Sequence, residues 1–362
     1  MGKLLYRADF DEARNRLSSW WDGNDIGRPA MQITAPRQTP LEDVPQMAAP
    51  AGWVTDYSTT DFEYRVYLSR KACVNTNYMA EAIPVVSPNL APNCLALYLG
   101  CRGIDQPDTV WCEPCIESPE TAIFLNNPDN FYWNFTQRLT GEQLRLGANK
   151  FMVQFPDLIE GLDTLAAMRG TEHLLIDLID RPEWVQTSLS MITEKYFEYY
   201  NILYEMIQDE RGGSCYWAWA PGRIAKLQCD FSAMISPDMF ADFMVPVLNT
   251  MTDLLDYSIY HWDGPGAIPH HECILSVPGI NMIQWTSGAG IEPVWDRRWW
   301  PLYHKTIDAG KKMMLLGFQG EEGLYYLEQL KKEFREKLSH FMISLKADTV
   351  KQGEKAISLV SL

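Results

Sequence analysis

The run Tyr257-Ser-Ile-Tyr-His-Trp-Asp-Gly-Pro-Gly266 opens on β-branched and aromatic residues and stops at two glycines around a proline. Such side chains suit a pleated surface, and Gly-Pro-Gly ends it, so residues 257–261 read as a strand leaving into a loop. Seven other short apolar runs look the same: residues 31–35, 82–86, 94–99, 151–155, 214–219, 280–285 and 312–316. Longer patterns of helical period lie between them. Asp180 is placed to cap a helix, Pro182 suits its first turn, and Glu183 sits three residues on. Val185, Leu189, Ile192, Tyr196, Tyr199, Leu203 and Met206 then mark one apolar face. Ser236-Pro237 opens a second helix, and residues 325–345 read as a third with Lys and Glu on the wet side. Strands alternating with helices predict a parallel sheet, and about eight strands in one undivided chain predict an α/β fold, a (β/α)8 TIM barrel over residues 1–362. Residues 102–118 read as a small inserted hairpin. An open doubly wound sheet is the alternative, but no strand is followed by G-x-G-x-x-G or a Walker A sequence.

Composition narrows the function. The 362 residues are 46% hydrophobic and 22% charged, an ordinary globular balance. Thirty-one basic against 47 acidic side chains give a net charge of −16, which repels phosphate backbones and anionic membranes. Nucleic acid and membrane are therefore not expected as partners. The longest uncharged run, residues 82–101, holds three prolines at 84, 88 and 92 and does not suit a spanning helix. The N-terminal residues show no apolar core of a secretory signal, and eight cysteines are too few for a disulfide scaffold. Reduced thiols in a cytoplasmic protein are the expectation.

Barrel enzymes place their chemistry at the C-terminal ends of the strands. That rule selects Asp157, Trp217, Trp219, His261, Asp263, Gln284, Trp285 and Gln319. In an extended segment residues i and i+2 share a face, so His261 and Asp263 would address one site, as metal ligands or as an acid/base pair. Arg223 near a strand end reads equally as an anion clamp or as a surface salt-bridge residue. His270-His-Glu-Cys273 has no convergent spacing and reads as helix surface. Cys112-Glu-Pro-Cys115 is a single C-x-x-C without a second pair, read as two half-buried thiols in a hairpin. Trp299 and Trp300 read as packing residues, and Trp295 is left open between packing and a lid.

Longer phrases carry a family resemblance. They are Phe155-Pro-Asp-Leu-Ile-Glu-Gly-Leu-Asp-Thr-Leu-Ala-Ala-Met-Arg-Gly170, Asp230-Phe-Ser-Ala-Met-Ile-Ser-Pro-Asp-Met-Phe-Ala-Asp-Phe-Met-Val-Pro246, His261-Trp-Asp-Gly264, and Pro278-Gly-Ile-Asn-Met-Ile-Gln-Trp285. Together they resemble the uroporphyrinogen decarboxylase superfamily, which also holds methyltransferases that use corrinoid proteins or coenzyme M. The resemblance implies a (β/α)8 barrel, a homodimer and a small-molecule substrate. The decarboxylases carry an Arg-Gln-Ala-Gly-Arg loop after the first strand; here Pro36-Arg-Gln-Thr-Pro40 offers Arg37 alone, and Ile83-Pro-Val-Val-Ser-Pro-Asn-Leu90 offers no carboxylate. The methyltransferases bind zinc through His-x-Cys and a later Cys. Here His261 matches, Asp263 stands in the Cys position, and no Cys follows Cys273. Zinc on His261 and Asp263, completed by Asp157, Glu292 or water, would make a harder site than a thiolate one. The leading expectation is metal-assisted methyl transfer with a corrinoid protein or a thiol as partner. The alternatives are a decarboxylase using Arg37 or Arg223 with His261, and a non-catalytic binding barrel.

Overall fold

The structure is a computed structural model, described for residues 4–50, 57–90, 92–106 and 109–361. Its strands in chain order are β1 (Ala30–Pro36), β2 (Thr76–Ala80), β3 (Val85–Val86), β4 (Arg102–Asp105), β5 (Val110–Glu113), β6 (Met152–Val153), β7 (Ser214–Tyr216), β8 (Ala218–Ala220), β9 (Ile224–Gln228), β10 (Tyr257–Asp263), β11 (Met282–Thr286), β12 (Lys312–Gln319) and β13 (Phe341–Lys346). The main sheet has seven strands in the order β2-β1-β13-β12-β11-β10-β9. Every ladder in it is parallel except β1–β2. β3 and β6 form a separate parallel pair.

The chain is thus an α/β fold with a central, mostly parallel sheet. The expected barrel is met in part: among the described residues the hydrogen-bonded ladders do not close into a ring. β2 lies antiparallel along the free edge of β1, where a closing parallel strand would pair. The β7–β8 hairpin stands between β6 and β9 in the chain. The inserted hairpin is present as β4 and β5, with Arg102 opposite Glu113 and Asp105 opposite Val110.

Three sequence readings are corrected. Residues 94–99 form a helix, Cys94–Tyr98, capped by Asn93, whose side chain accepts from the Ala96 amide at 3.1 Å. The segment is buried on all sides, so its apolar run carried no period to tell helix from strand. The helix expected over residues 325–345 is Gly320–Phe334; Arg335 then turns the chain at φ 48° and β13 follows. Leu327, Leu330, Phe334, Leu338 and Phe341 are all buried, so helical spacing continued across the turn and hid the strand. β9 was missed because a lysine, Lys226, stands at its centre. The helix Pro182–Ile207 follows expectation along its buried face, although Asp180 closes the preceding helix and Arg181 takes the cap position.

The sheet positions the site by strict alternation. On β10, Tyr260 and Trp262 are buried on the outer face, while His261 and Asp263 are half-buried on the other. Trp262 stacks on His271 with ring centroids 4.2 Å apart and meets Trp285 edge-on at 4.7 Å. A buried indole removes roughly 200 Å² from water, worth about 5 kcal/mol before entropy. That packing holds the neighbouring His261 in place.

Candidate functional site

β9, β10 and β11 run in register and end together. His261 lies beside Gln228 on one side and Gln284 on the other, and Asp263 lies beside Thr286. Asp230 follows β9 by two residues. Asp230, His261 and Asp263 each bring one ligand atom within 4.8 Å of the others. Asp263 Oδ1 is buried without a hydrogen-bond partner.

Gln284 decides which nitrogen His261 presents. Its amide donates to the Trp285 carbonyl at 2.7 Å and to Thr286 Oγ1 at 3.0 Å, so its donors are spent. Its oxygen Oε1 faces His261 Nδ1 in a close hydrogen bond. Nδ1 therefore carries the proton and Nε2 keeps the lone pair. Burial, and then the nearby Lys226 charge, push the imidazole below its ordinary value, with Gln284 opposing. The ring is neutral and available as an acceptor.

Behind this triad is a buried polar cluster. Lys226, in the middle of β9, pairs with Asp157 Oδ1 at 2.6 Å and also bonds Gln228 Oε1. Glu160 is fully buried; its Oε1 accepts from the Gln228 amide at 2.7 Å and its Oε2 has no partner. Burial pushes it up to about 8. Asp163 receives Gln228 Nε2 at 2.8 Å and the amides of Asp230 and Phe231 at 2.9 Å each, which fixes the loop carrying Asp230. Asp230 reaches solvent at the rim. Partial loss of water and the neighbouring Asp163 still push it up to about 7, with Lys226 opposing. Five carboxyl groups thus gather near one ammonium, and those of them that are ionised make a field that draws cations.

Lys226, Glu160, Asp163 and Asp230 were not singled out from the sequence. A signal existed. Asp157, Glu160 and Asp163 recur every third residue where a strand exit becomes the helix Gly161–Arg169. Gly161 makes that turn at φ 60°, with Met244 so close that a Cβ would collide at 2.8 Å.

Of the expected residues, Asp157, Trp217, His261, Asp263, Gln284 and Gln319 reach the mouth. Trp217 stands edge-on to His261 at 5.5 Å. It sits at φ 54°, fixed by Gln154 Oε1 accepting from its amide and Gln32 donating to its carbonyl. Trp217, Gln319, Gln32, Tyr78 and Lys346 line a cavity of about 300 Å³. A second cavity of about 550 Å³ is lined by Asp163, Gln228, Asp230, Phe231 and Trp111. A larger one, about 690 Å³, lies between the helices Pro182–Ile207 and Pro237–Asp253 and holds none of these groups.

The others go elsewhere. Trp219 is buried and donates to Asp209 Oδ2 at 2.9 Å, away from the mouth. Residues 214–219 are not one strand but two arms of a hairpin turning at Trp217. The strand that reaches the site is β9, so Arg223 lies at its entry, over the rings of Tyr200 and Tyr204, and clamps nothing at the exit. Trp285 points to the outer face with Trp262 and Trp299. Arg37 donates to the Thr76 carbonyl at 2.9 Å and lines neither mouth cavity. Asp157 is committed to Lys226, and Glu292 pairs with Arg298 on the surface, so neither joins the triad. His270 and His271 are buried, contrary to expectation, on the Ser232 carbonyl at 2.8 Å and Thr306 Oγ1 at 2.9 Å. Trp295 packs on Phe318 and Tyr326.

No protein-family model and no curated protein matches the chain. Among solved structures, the fold is similar to that of a methyltransferase from Methanosarcina mazei, with a TM-score of 0.56, 12% identity and 96% of each chain covered. No helix of the described residues is long and apolar enough to cross a membrane.

Proposed function

We propose that this chain is an enzyme of methyl transfer to or from a small substrate, and that Asp230, His261 and Asp263 hold one divalent metal, zinc first. The carrying observation is His261, whose Nδ1–H is fixed on Gln284, beside an Asp263 oxygen that is buried and unpartnered. A metal-bound histidine typically donates its other N–H to a carbonyl or carboxylate in this way. One nitrogen and two carboxylate oxygens suit zinc with water completing the shell, and suit manganese or iron as well. A metal there would lower the pKa of a bound thiol or water and so supply a nucleophile near neutral pH.

The chain's own groups do the rest. Gln284 aims the imidazole. Asp230, raised toward neutrality in the metal-free site, would have to give up its proton to bind the cation, so metal uptake should release a proton near neutral pH. Trp217 supplies a fixed aromatic wall. Lys226 offsets part of the negative charge and reaches the triad through Gln228, whose Nε2 donates to Asp230 Oδ2 at 3.1 Å. The fold it shares with a methyltransferase supports the reading. A corrinoid protein or a thiol as methyl partner, a homodimer and a cytoplasmic location belong to the same proposal. Decarboxylation is less well served, because neither Arg37 nor Arg223 stands in the mouth to clamp a carboxylate.

Elemental analysis tests it. Wild type is expected to carry near one metal per chain, lost in His261→Ala and in Asp263→Ala while both keep a cooperative melt. No uptake by the wild type, even after incubation with zinc at neutral pH, would overturn the metal centre.

A further inference from the structure

The inserted hairpin gathers three thiols. Cys101 precedes β4, Cys112 lies in β5 opposite Gly103, and Cys115 follows it. Cys101 Sγ and Cys115 Sγ are 3.5 Å apart, although the two residues are 14 positions apart in the chain. Cys101 is buried and Cys115 is exposed. The pair is anchored on the last turn of the helix Gly161–Arg169. The amides of Cys115 and Ile116 both donate to the Met168 carbonyl at 2.8 Å, and Cys101 Sγ lies 3.6 Å from the Ala167 carbonyl. The first turn of that helix bears Asp163. Trp111 and Cys112 of the hairpin wall the same cavity as Asp163 and Asp230.

We propose that Cys101 and Cys115 are a thiol–disulfide pair that exchanges with small-molecule disulfides, Cys115 being the attacking sulfur and Cys101 the resolving one. One sulfur open to solvent beside one enclosed is the arrangement such exchange needs. Hydrogen bonding with Cys112 first, and then with Cys115, pushes the Cys101 thiol up and holds both of those thiols below the ordinary range; Cys115 is the one of the two that is open to solvent. A disulfide needs about 2.05 Å between sulfurs, so a shift of about 1.5 Å, within reach of side-chain rotation, completes it. Metal binding is the lesser fit, since the three sulfurs are not among the described groups whose ligand atoms all lie within 4.8 Å of one another.

The exchange balances. Cys115, having lost its proton, attacks R–S–S–R, forms the mixed disulfide and expels R–S⁻, which is protonated to R–SH. Cys101 gives up its proton, attacks the Cys115 sulfur and expels the second thiolate. Two cysteine thiols are oxidised and one small disulfide is reduced to two thiols. The new bond would staple the hairpin that walls the Asp230 cavity. The inference stands independently of the metal reading.

Reduced full-length protein is titrated with oxidised glutathione, alkylated and mapped by mass spectrometry. A Cys101–Cys115 cross-link is expected, unaffected by Cys112→Ser and abolished by Cys115→Ser. Cys101→Ser should stall as a glutathione adduct on Cys115. A Cys101–Cys112 bond, or three free thiols at every ratio of oxidised to reduced glutathione, would overturn the proposal. So would thiolate-to-cobalt absorption, retained in His261→Ala, after loading with cobalt.

Discussion

Two glutamates of this molecule are equally buried and opposite in state. Glu81 Oε1 accepts from Arg16 at 2.7 Å and Arg28 at 2.8 Å; its Oε2 accepts from Arg28 at 2.6 Å and the Met31 amide at 2.8 Å. Burial alone would raise it, yet Arg28, Arg16 and that amide hold it below the carboxylate range. Glu160 has one bond, from the Gln228 amide, and an idle second oxygen. Burial raises it to about 8 despite the nearby Lys226. Both oxygens of the first are saturated, as a structural ion must be. The second is left short of partners beside the mouth, where perturbed groups mark reactive sites. The two carboxyl groups differ in the number of their partners and not in depth.

The contrast can be broken from either side. Glu81→Ala strands two guanidiniums, and urea unfolding should show a loss of about 3–5 kcal/mol. A loss under about 1 kcal/mol would remove Glu81 from the structural class. Glu160→Gln keeps an acceptor for the Gln228 amide and removes the titration. The native value of Glu160 lies above its unfolded value of 4.5, so the stability it contributes is full below about pH 4.5 and is lost as pH rises through about 8. The variant should therefore match wild type near pH 4 and exceed it at high pH by up to roughly 5 kcal/mol. Parallel melting profiles across that range would sink the assignment. The smallest effect sharpens the site alone: Gln284→Leu frees His261 Nδ1 and should weaken metal binding by about 10- to 100-fold with the fold intact. Unchanged affinity in a competition titration would show that the amide does not aim the ring.

The sequence made the alternation legible, and with it His261, Asp263 and Gln284, because i and i+2 on a strand must share a face. It hid β9, since Lys226 at the centre of a strand looks solvated until its partner Asp157, far away in the chain, is seen. It hid β13 because a helical spacing ran on through Arg335. Arg223 was misplaced for a related reason: mistaking a hairpin for the strand exchanges its entry for its exit. Buried carboxyl groups were the least legible, for burial is set by what packs on them from other elements.

Gln284 has a further consequence, in proton inventory. A carboxylate in its place would orient the imidazole equally well, but it would add a negative charge and a proton whose occupancy followed the medium. An amide cannot ionise. The direction of the ring is set by the Trp285 carbonyl and Thr286 hydroxyl behind it. A cation drawn in by the surrounding acids meets a lone pair whose aim does not depend on the acidity of its surroundings for as long as the ring is neutral.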